Sequence, residues 1–253
     1  MIHLYLTGTA GSGKSTLASS FHEWCKRNGY DTIVVNLDPG VKKLPYSPEI
    51  DVREWISLGE VMRDYNLGPN GAQVVCADML ALNVVELQER VEEYSADYMI
   101  FDTPGQLELF VFRSAGKVII DSLGKEKSIV AFLIDPALAT LPSHFVSQMM
   151  LSATTQFRLD VPMVNVLTKA DIIDEKLLEK MIEWGKEPDK LREALISTSS
   201  LYSQMSEGIM EIINEMEATT SFIPLSSETW EGMEDLYTEI QHIFYGGEDL
   251  ERK

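Results

Sequence analysis

GTAGSGKST, Gly8 to Thr16, is the stretch from which the rest of the chain can be interpreted. Two glycines, a lysine and a serine stand at the fixed places of a phosphate-binding loop: Gly8, Gly13, Lys14 and Ser15. The apolar segment before it, Ile2 to Thr7, predicts a strand, and the segment after it predicts a helix that ends at Gly29. In this setting the loop amides point at one anion, and the helix adds its positive N-terminal end. The sequence therefore predicts a site for phosphate groups.

The residues of this loop have separate expected roles. Lys14 reaches the β- and γ-phosphates of a bound nucleotide, and the hydroxyl of Ser15 coordinates Mg²⁺. The residues expected to bind the nucleotide here are Gly11, Ser12, Gly13, Lys14, Ser15 and Thr16.

Composition and charge limit the classes of partner. The 253 residues carry a formal net charge of −19, which argues against a nucleic-acid backbone or anionic lipid as the main partner. A basic surface on a partner protein is the expected counterpart. With only Cys25 and Cys76, neither a disulfide framework nor a zinc site is indicated. No segment resembles a signal peptide or a membrane span. We therefore expect a cytoplasmic protein with no direct nucleic acid contact and no membrane association.

Strand and helix alternate along the chain, which is typical of a mostly parallel sheet. Further strands are predicted at residues 32–37, 98–101, 127–134, 161–167 and 222–225. The longer helices are predicted at residues 72–94, 144–157 and 228–245. The predicted fold class is α/β, with three layers (α/β/α), a mostly parallel central sheet and helical insertions. Residues 1–245 are expected to form a single domain.

Two carboxylates follow predicted strands, at the edge where parallel sheets collect their ligands. Asp38 ends the second strand and is placed where a Mg²⁺-bound water or the attacking water would lie. Asp102 and Gly105 have the Asp-x-x-Gly spacing of a γ-phosphate sensor. In such a sensor the carboxylate holds Mg²⁺ through water, and the glycine amide bonds the terminal phosphate. The expected metal-site residues are Ser15, Asp38 and Asp102.

Gln106 and Glu108 follow this sensor directly. An amide and a carboxylate can together accept from and donate to a nucleophilic water, so both are candidates for orienting it. The alternative is that they form a solvated first turn of the next helix, where acidic residues are favoured in any case.

The segment after residues 161–167 indicates which nucleotide base is recognised. Thr168-Lys169-Ala170-Asp171 places a carboxylate beyond a core strand, where it can accept from both N1–H and the 2-amino group of guanine. Adenine does not present that pair of donors. The aliphatic stem of Lys169 can lie along the base plane. Ser226, after the last predicted strand, is expected to support the base from the other side.

Three stretches fall outside these motifs. Residues 41–71 form a long connection, predicted as a loop, a short helix and a break at Gly68-Pro69-Asn70, a triplet that on its own predicts a turn. Residues 172–217 predict a Met- and Glu-rich helical insert without readable chemistry, and residues 246–253 predict a charged, disordered tail.

The phosphate loop, Asp38, the Asp-x-x-Gly pair, Thr168 to Asp171 and a late Ser-Ser pair occur in one order, which is the order of the five motifs of a GTPase. With Gly68-Pro69-Asn70 between the second and third of them, the chain closely resembles the GPN-loop GTPases and looks like an archaeal member. The resemblance covers Met1 to about Tyr245. It implies the P-loop NTPase fold, GTP and GDP as ligands, Mg²⁺ as the metal and hydrolysis of the β–γ bond.

The resemblance also implies partners and a catalytic arrangement. Members of this family form homodimers or heterodimers in which the Gly-Pro-Asn loop of each subunit reaches the partner's site, so that Asn70 meets the terminal phosphate in trans. Asp38, Gln106, Glu108 and Asn70 are thus the expected catalytic residues. A role in assembling an unidentified protein partner follows from the resemblance only. No arginine finger can be named from the motifs, so intrinsic hydrolysis is expected to be slow.

Three alternative functions are also compatible with parts of this pattern. ATPases of the MinD or arsenical-pump type share the fold but carry an additional lysine early in the phosphate loop, where Thr9 stands here. A small-molecule kinase needs an arginine-rich lid, and none is visible. A nucleotide-gated binding module with incidental turnover is distinguished only by nucleotide-dependent capture of a partner.

Overall fold

The computed structural model describes residues 1–198 and 222–246, and its framework is one central sheet. Seven strands form this sheet in the order β3-β2-β4-β1-β5-β6-β7, and every paired neighbour is parallel. The strands are β1 (Ile2–Gly8), β2 (Thr32–Asn36), β3 (Ile50–Asp51), β4 (Tyr98–Asp102), β5 (Ser128–Ile134), β6 (Met163–Leu167) and β7 (Phe222–Pro224). The prediction of a mostly parallel α/β fold is confirmed.

Helices cover both faces of the sheet. They are α1 (Lys14–Arg27), α2 (Leu58–Asp64), α3 (Pro69–Leu82), α4 (Val84–Glu92), α5 (Ser114–Leu123), α6 (Pro142–Leu159), α7 (Glu175–Lys186), α8 (Pro188–Thr198) and, in the last described stretch, α9 (Met233–Tyr245). A π-helix spans Glu108–Phe112, and 3₁₀ turns span Val52–Glu54, Lys125–Lys127 and Pro136–Leu138. In the described parts of the chain, no helix has the length and apolar character needed to cross a membrane.

The alternation of side chains along β1 separates two hydrophobic cores. Leu4 and Leu6 point to the face covered by α1 and α9, where Phe21 and Leu236 are fully buried. Tyr5 points to the other face and stacks on the ring of Phe101 with centroids 4.4 Å apart. Successive strand residues face opposite sides, so a strand buried on both faces reads as a continuous apolar run. The β1 run at the start of the sequence therefore lies at the centre of the sheet.

The Gly-Pro-Asn triplet differs from the turn that was predicted. Gly68 is the N-cap of α3 and Pro69 is its first residue, so the triplet begins a helix. The physical reason is that proline at the first helical position loses no hydrogen bond and has the φ angle that a helix needs. The residues that look like a break in the sequence are therefore a helix start.

The helix predicted at residues 72–94 is two helices. Asn83 separates α3 from α4, because its backbone leaves the helical geometry, with φ −99° and ψ 23°. Its backbone N–H still makes the i to i−4 bond to the carbonyl of Met79 at 2.9 Å, and its side-chain Nδ2 donates to the same carbonyl at 2.7 Å. The next residue starts α4.

Other boundaries also differ from the predictions. The closing helix begins at Met233 and not at residue 228, since Gly232 has φ 79° and an added Cβ there would lie 2.0 Å from the carbonyl oxygen of Pro224. The two-residue strand β3 was missed inside the predicted loop. The insert predicted at residues 172–217 contains α7 and α8. Its remainder from residue 199 on, and the tail from residue 247 on, lie outside the described residues.

Candidate functional site

The phosphate loop connects β1 to α1 with a backbone that only glycine adopts easily. Gly8, Gly11 and Gly13 have φ angles of 146°, 79° and 93°. At Gly8 an added Cβ would lie 2.4 Å from the carbonyl oxygen of Leu133, so β5 packs directly against the loop. Left-handed φ values cost little at glycine and are strained elsewhere. The glycine spacing therefore produces the curl that aims backbone amides at an anion.

Lys14 lies inside this curl. Its Nζ donates to the carbonyl oxygens of Gly8 and Thr9, each at 2.9 Å, and of Gly105 at 3.2 Å. Burial lowers the pKa of Lys14 to about 8, and the carboxylates of Asp102 and Asp38 oppose that decrease. The lysine thus bridges the phosphate loop and the Asp-x-x-Gly segment.

The residues predicted to hold Mg²⁺ form a set of oxygen donors that fits this ion. Asp102 is 1% exposed and its Oδ1 has no hydrogen-bond partner among the described residues. Burial raises the pKa of Asp102, and the hydroxyls of Ser15 and Tyr46 act in the opposite direction. A buried carboxylate with a free oxygen beside a serine hydroxyl suits a hard divalent cation, which takes oxygen ligands. Ser15 and Asp102 therefore fit magnesium.

Clusters of side-chain ligands alone do not define this metal site. Across residues 1–198 and 222–246, no group of three or more His, Cys, Asp or Glu side chains is placed to hold a metal ion. Magnesium at such sites keeps several waters and takes substrate phosphate oxygens with one or two carboxylates. The donor set here is of that kind.

Asp38 lies at the end of β2 and is half-buried. Its Oδ1 accepts from the amide of Gly40 at 2.8 Å, and its Oδ2 accepts from the amide of Gly105 at 3.1 Å. The structure thus brings the ends of β2 and β4 together through one carboxylate. Gln106 and Glu108 lie just beyond, both exposed, and Glu108 is the first residue of the π-helix.

A pocket of about 310 Å³ opens beside the phosphate loop. Its lining combines the loop, the Thr168–Asp171 segment and the turn after β7: Gly13, Thr16, Thr168, Lys169, Asp171, Ile172, Ser227 and Glu228. The predicted base-recognition residues Lys169 and Asp171 are therefore next to the phosphate site.

Hydrogen bonds attach this base segment to the phosphate loop. Thr168 Oγ1 donates to the carbonyl of Ser12 at 2.9 Å. Lys169, whose φ is 57°, donates from Nζ to the carbonyl of Gly11 at 2.9 Å and to Asp135 Oδ2 at 2.5 Å. These bonds hold the alkyl stem of Lys169 along one wall of the pocket, where a planar ring can lie on it.

Ser226 is placed differently from its expected role. Its side chain is fully buried, and its Oγ accepts from the amides of Glu228 and Thr229 at 3.2 and 3.1 Å. The neighbouring Ser227 lines the pocket instead. A serine hydroxyl that bonds amides two and three residues ahead shapes the turn and does not point at a ligand.

Asn70 is exposed in the first turn of α3 and is not among the residues that line the pocket of its own chain. Further along the helix, the amide of Gln73 lies close to Gly40, within the turn that follows Asp38. The helix that begins with Gly68-Pro69-Asn70 therefore packs against the Asp38 turn of the same subunit, while its N-terminus faces solvent.

Sequence reasoning missed two residues of this site. Tyr46, in the connection between β2 and β3, donates from its hydroxyl to Asp102 Oδ2 at 2.7 Å. No local pattern marks this tyrosine, because the contact joins residues 56 positions apart. Asp135, the partner of Lys169, carried a usable signal, since it follows a buried strand at the same sheet edge as Asp38.

Comparisons with known proteins agree with this geometry. The family described as conserved hypothetical ATP binding protein matches residues 6–246. GPN-loop GTPase PAB0955 of Pyrococcus abyssi is 34% identical over 233 residues, which are 91% of this chain and 92% of that protein. GPN-loop GTPase 1 of Dictyostelium discoideum is 29% identical over 99% of this chain, and the match spans 65% of that protein, less than two thirds of its length.

A solved structure shares the whole architecture. The crystal structure of PAB0955, a GTPase in apo form from Pyrococcus abyssi, superposes with a TM-score of 0.88 at 32% sequence identity, covering 96% of this chain and 98% of that one. The phosphate loop, the Asp-x-x-Gly segment and the Thr-Lys-x-Asp segment all lie inside the matched range. This chain belongs to the family of GPN-loop GTPases.

Proposed function

We propose that this GPN-loop GTPase hydrolyses GTP with Mg²⁺ as a homodimer and changes shape between its GTP and GDP states. The observation that carries the proposal is the position of Asp171. Its carboxylate lines a pocket that also contains Gly13 and Thr16 of the phosphate loop. One nucleotide can thus place its phosphates in the loop and its base at Asp171.

The base that fits this pocket is guanine. The carboxylate of Asp171 accepts two hydrogen bonds, and guanine offers N1–H and the 2-amino group side by side, whereas adenine does not. The matched family carries a description with ATP, while the relatives are named GTPases. The chemistry of Asp171 supports guanine, because a carboxylate facing adenine would meet no pair of donors and would lose its hydration without compensation.

Chemistry at the β–γ bond is assigned to the groups around Gly105. Lys14 would bind the terminal phosphates, and Ser15 and Asp102 would hold Mg²⁺, which neutralises charge on the phosphate oxygens when bound. Asp38, beside Gly105, would orient water in the metal site. Gln106 and Glu108 would complete the orientation of the attacking water from the exposed segment that follows.

The dimer is proposed from family membership together with the helix start at Gly68. The first turn of a helix leaves backbone N–H groups without intrahelical partners, and Gly68 offers no side-chain cap. Asn70 is exposed there and adds a side-chain amide. Such a helix start attracts anions, so an approaching subunit with bound GTP would present its terminal phosphate to these groups.

A protein partner is proposed as the target of the switch. The net charge of −19 favours a partner with a basic surface and disfavours polyanions. Capture of the same partner by protein loaded with a GTP analogue and not with GDP supports this assignment. Equal capture in both states contradicts it.

The test of the central proposal compares GTP with ATP in the presence and absence of Mg²⁺. We expect Mg²⁺-dependent release of phosphate from GTP only. Asp171→Asn should weaken GTP binding about 10- to 100-fold, because one or two hydrogen bonds to a charged group are lost. Equal turnover of ATP, or an unchanged nucleotide preference in Asp171→Asn, contradicts the proposal.

A further inference from the structure

A hydrogen-bond network surrounds the backbone of Asp38 without belonging to the nucleotide pocket. The short edge strand β3 pairs with the end of β2 so that Asp51 lies opposite Asn36. The fully buried side chain of Asn36 donates from Nδ2 to Asp51 Oδ1 at 2.8 Å and to the carbonyl of Asp38 at 3.2 Å. Its Oδ1 accepts from the amide of Asp38 at 3.0 Å. One asparagine therefore holds both backbone polar groups of Asp38.

Arg53 extends the network to the far side of the same turn. Its Nε donates to both oxygens of Asp51, at 2.9 and 3.0 Å, and a terminal nitrogen reaches Asp51 Oδ2 at 2.5 Å. The other terminal nitrogen donates to the carbonyl of Val41 at 3.1 Å. Asn36 thus holds the start of the turn, at Asp38, and Arg53 holds its end, at Val41. Asp51 bonds to both side chains and joins them.

We infer that Asn36, Asp51 and Arg53 are positioning residues for Asp38. They act through the backbone of the Asp38 turn, and none of the three lines the pocket. The inference rests on the proposed function, in which Asp38 acts in the metal and water site. A fully buried asparagine at the end of a core strand lowers stability unless its polar atoms are hydrogen-bonded. Here these atoms bond to Asp38 and to Asp51.

The length of the connection explains why such a network is needed. Residues 37–49 join β2 to β3 and contain Asp38 near the start and Tyr46 near the end. A long irregular connection samples many conformations unless its two ends are held together. The pairing of Asn36 with Asp51 joins those two ends. The forked guanidinium group of Arg53 bonds a carboxylate and a carbonyl at once. Lysine offers a point charge and no such fork.

A positioning role and a purely structural role predict different kinetics. Misplacing Asp38 lowers kcat and raises the Mg²⁺ concentration needed for half-maximal rate, while the phosphate loop and base pocket keep their affinity for GDP. Loss of a purely structural contact lowers thermal stability and weakens the affinity for every ligand together.

The experiment uses the full chain with Arg53→Ala and Arg53→Lys. The matched control is Arg90→Ala, since Arg90 pairs with Glu86 at 3.3 Å on an exposed face of α4. Five quantities are measured: the unfolding midpoint, the Kd of a fluorescent GDP analogue without Mg²⁺, kcat for GTP, KM for GTP, and the Mg²⁺ concentration at half-maximal rate. We expect Arg53→Ala to lower kcat at least about tenfold with the GDP Kd within about threefold, and Arg53→Lys to fall between it and the wild type. Arg90→Ala should match the wild type.

Asp51→Asn provides a second variant should Arg53→Ala fail to fold. It keeps the shape and the acceptor for Asn36 but loses the charge that holds Arg53, so the same separation of kcat from GDP affinity is expected. Wild-type kinetics in these variants, or a parallel loss of stability, GDP affinity and kcat, overturns the inference while the proposed function stands. Failure of the wild type to hydrolyse GTP overturns both.

Discussion

The backbone amide of Gly105 donates to Asp38 Oδ2 at 3.1 Å, while the carbonyl of the same residue accepts from Lys14 Nζ at 3.2 Å. One peptide segment is thus held between a carboxylate and the lysine of the phosphate loop. We expect the terminal phosphate of a nucleotide, as an anion, to compete with Asp38 for the amide and with the carbonyl for the lysine. Nucleotide binding and the position of Gly105 should therefore be coupled by competition for the same hydrogen bonds.

Gly105→Ala is predicted to separate folding from catalysis. An added Cβ would have only Asp38 Oδ2 nearby, at 3.8 Å, which is an ordinary van der Waals distance. The fold should therefore be kept, with an unfolding midpoint within about 2 °C of the wild type. The methyl group restricts rotation of the backbone that would turn the amide towards phosphate. We expect single-turnover hydrolysis to fall at least about tenfold with GDP affinity nearly unchanged.

The control for Gly105→Ala is Gly59→Ala, at a glycine in α2 where an added Cβ would meet only Ser57 Oγ, at 4.0 Å. An unchanged hydrolysis rate in Gly105→Ala, or a large loss of GDP affinity, contradicts the coupling described above.

Asn70→Ala is predicted to lower hydrolysis much more than GTP affinity. The side chain is exposed at the start of α3, so its removal should leave the fold of one subunit intact. If it acts on the partner's terminal phosphate, the loss falls on transition-state contacts and appears in kcat. Rates and Kd values for a non-hydrolysable analogue measure the two effects separately. Equal losses, or none, indicate that the residue only begins a helix.

Mixing Asn70→Ala with Lys14→Ala subunits tests whether Asn70 acts across the proposed dimer. In the mixed dimer, the site that retains Lys14 receives its Asn70 from the other subunit, so part of the activity should return. Each homodimer measured alone is the control. A mixture no more active than the sum of its parts argues against action in trans.

GTP affinity is predicted to be constant up to about pH 8 and to weaken above it. The pKa of Lys14 is lowered to about 8 by burial, so the free site loses its cation as the pH rises through about 8, well below the ordinary lysine value of 10.5. Phosphate binds the charged form, and binding above pH 8 must therefore take up a proton, with up to about a tenfold rise in Kd per pH unit. Titrations with GTP at pH 7, 8 and 9 measure this change in Kd.

Lys14→Arg is the matched variant for this pH series, because a guanidinium stays protonated throughout. Its affinity should be weaker at neutral pH, since the cavity is built for an ammonium group, but it should vary little with pH. A wild-type curve as flat as that of Lys14→Arg contradicts the prediction.

His3 is predicted to make folding sensitive to mild acid. Its ring is 1% exposed, and neither ring nitrogen has a hydrogen-bond partner within the described parts of the chain. Burial, followed by the positive charge of Lys127, lowers its pKa from 6.5 to about 4. The unfolded chain therefore binds a proton that the folded chain does not, and stability falls as the pH drops from 6.5 towards 4. His3 alone should remove about 2 kcal/mol between pH 7 and pH 5.

Urea unfolding at pH 7 and pH 5 measures this effect. His3→Leu should lose about 2 kcal/mol less stability over that interval than the wild type. His144→Leu, at an exposed position of α6, is the control and should behave as the wild type. Identical pH dependence in His3→Leu and the wild type would show that the ring is not held neutral.

Local sequence was sufficient for the parts of the site that depend on spacing. The curl of the phosphate loop follows from glycines at positions that require left-handed φ, and Asp38, Asp102 and Asp171 each follow a strand or strand end that the apolar pattern makes visible. In a parallel sheet the carboxyl ends of the strands lie along one edge, so these residues had to line the same edge once the sheet was recognised.

Tertiary structure decided what depends on residues that are distant in the chain. Whether Gly68-Pro69-Asn70 is a turn or a helix start depends on the packing of α3 against its neighbours, and propensity allows both. The two-residue strand β3 forms only because β2 provides its partner. Tyr46 reaches Asp102 only because the connection between β2 and β3 folds back over the sheet edge. Sequence pattern records the periodicity of single elements, whereas hydrogen bonds between separate elements are chosen by the packed fold as a whole.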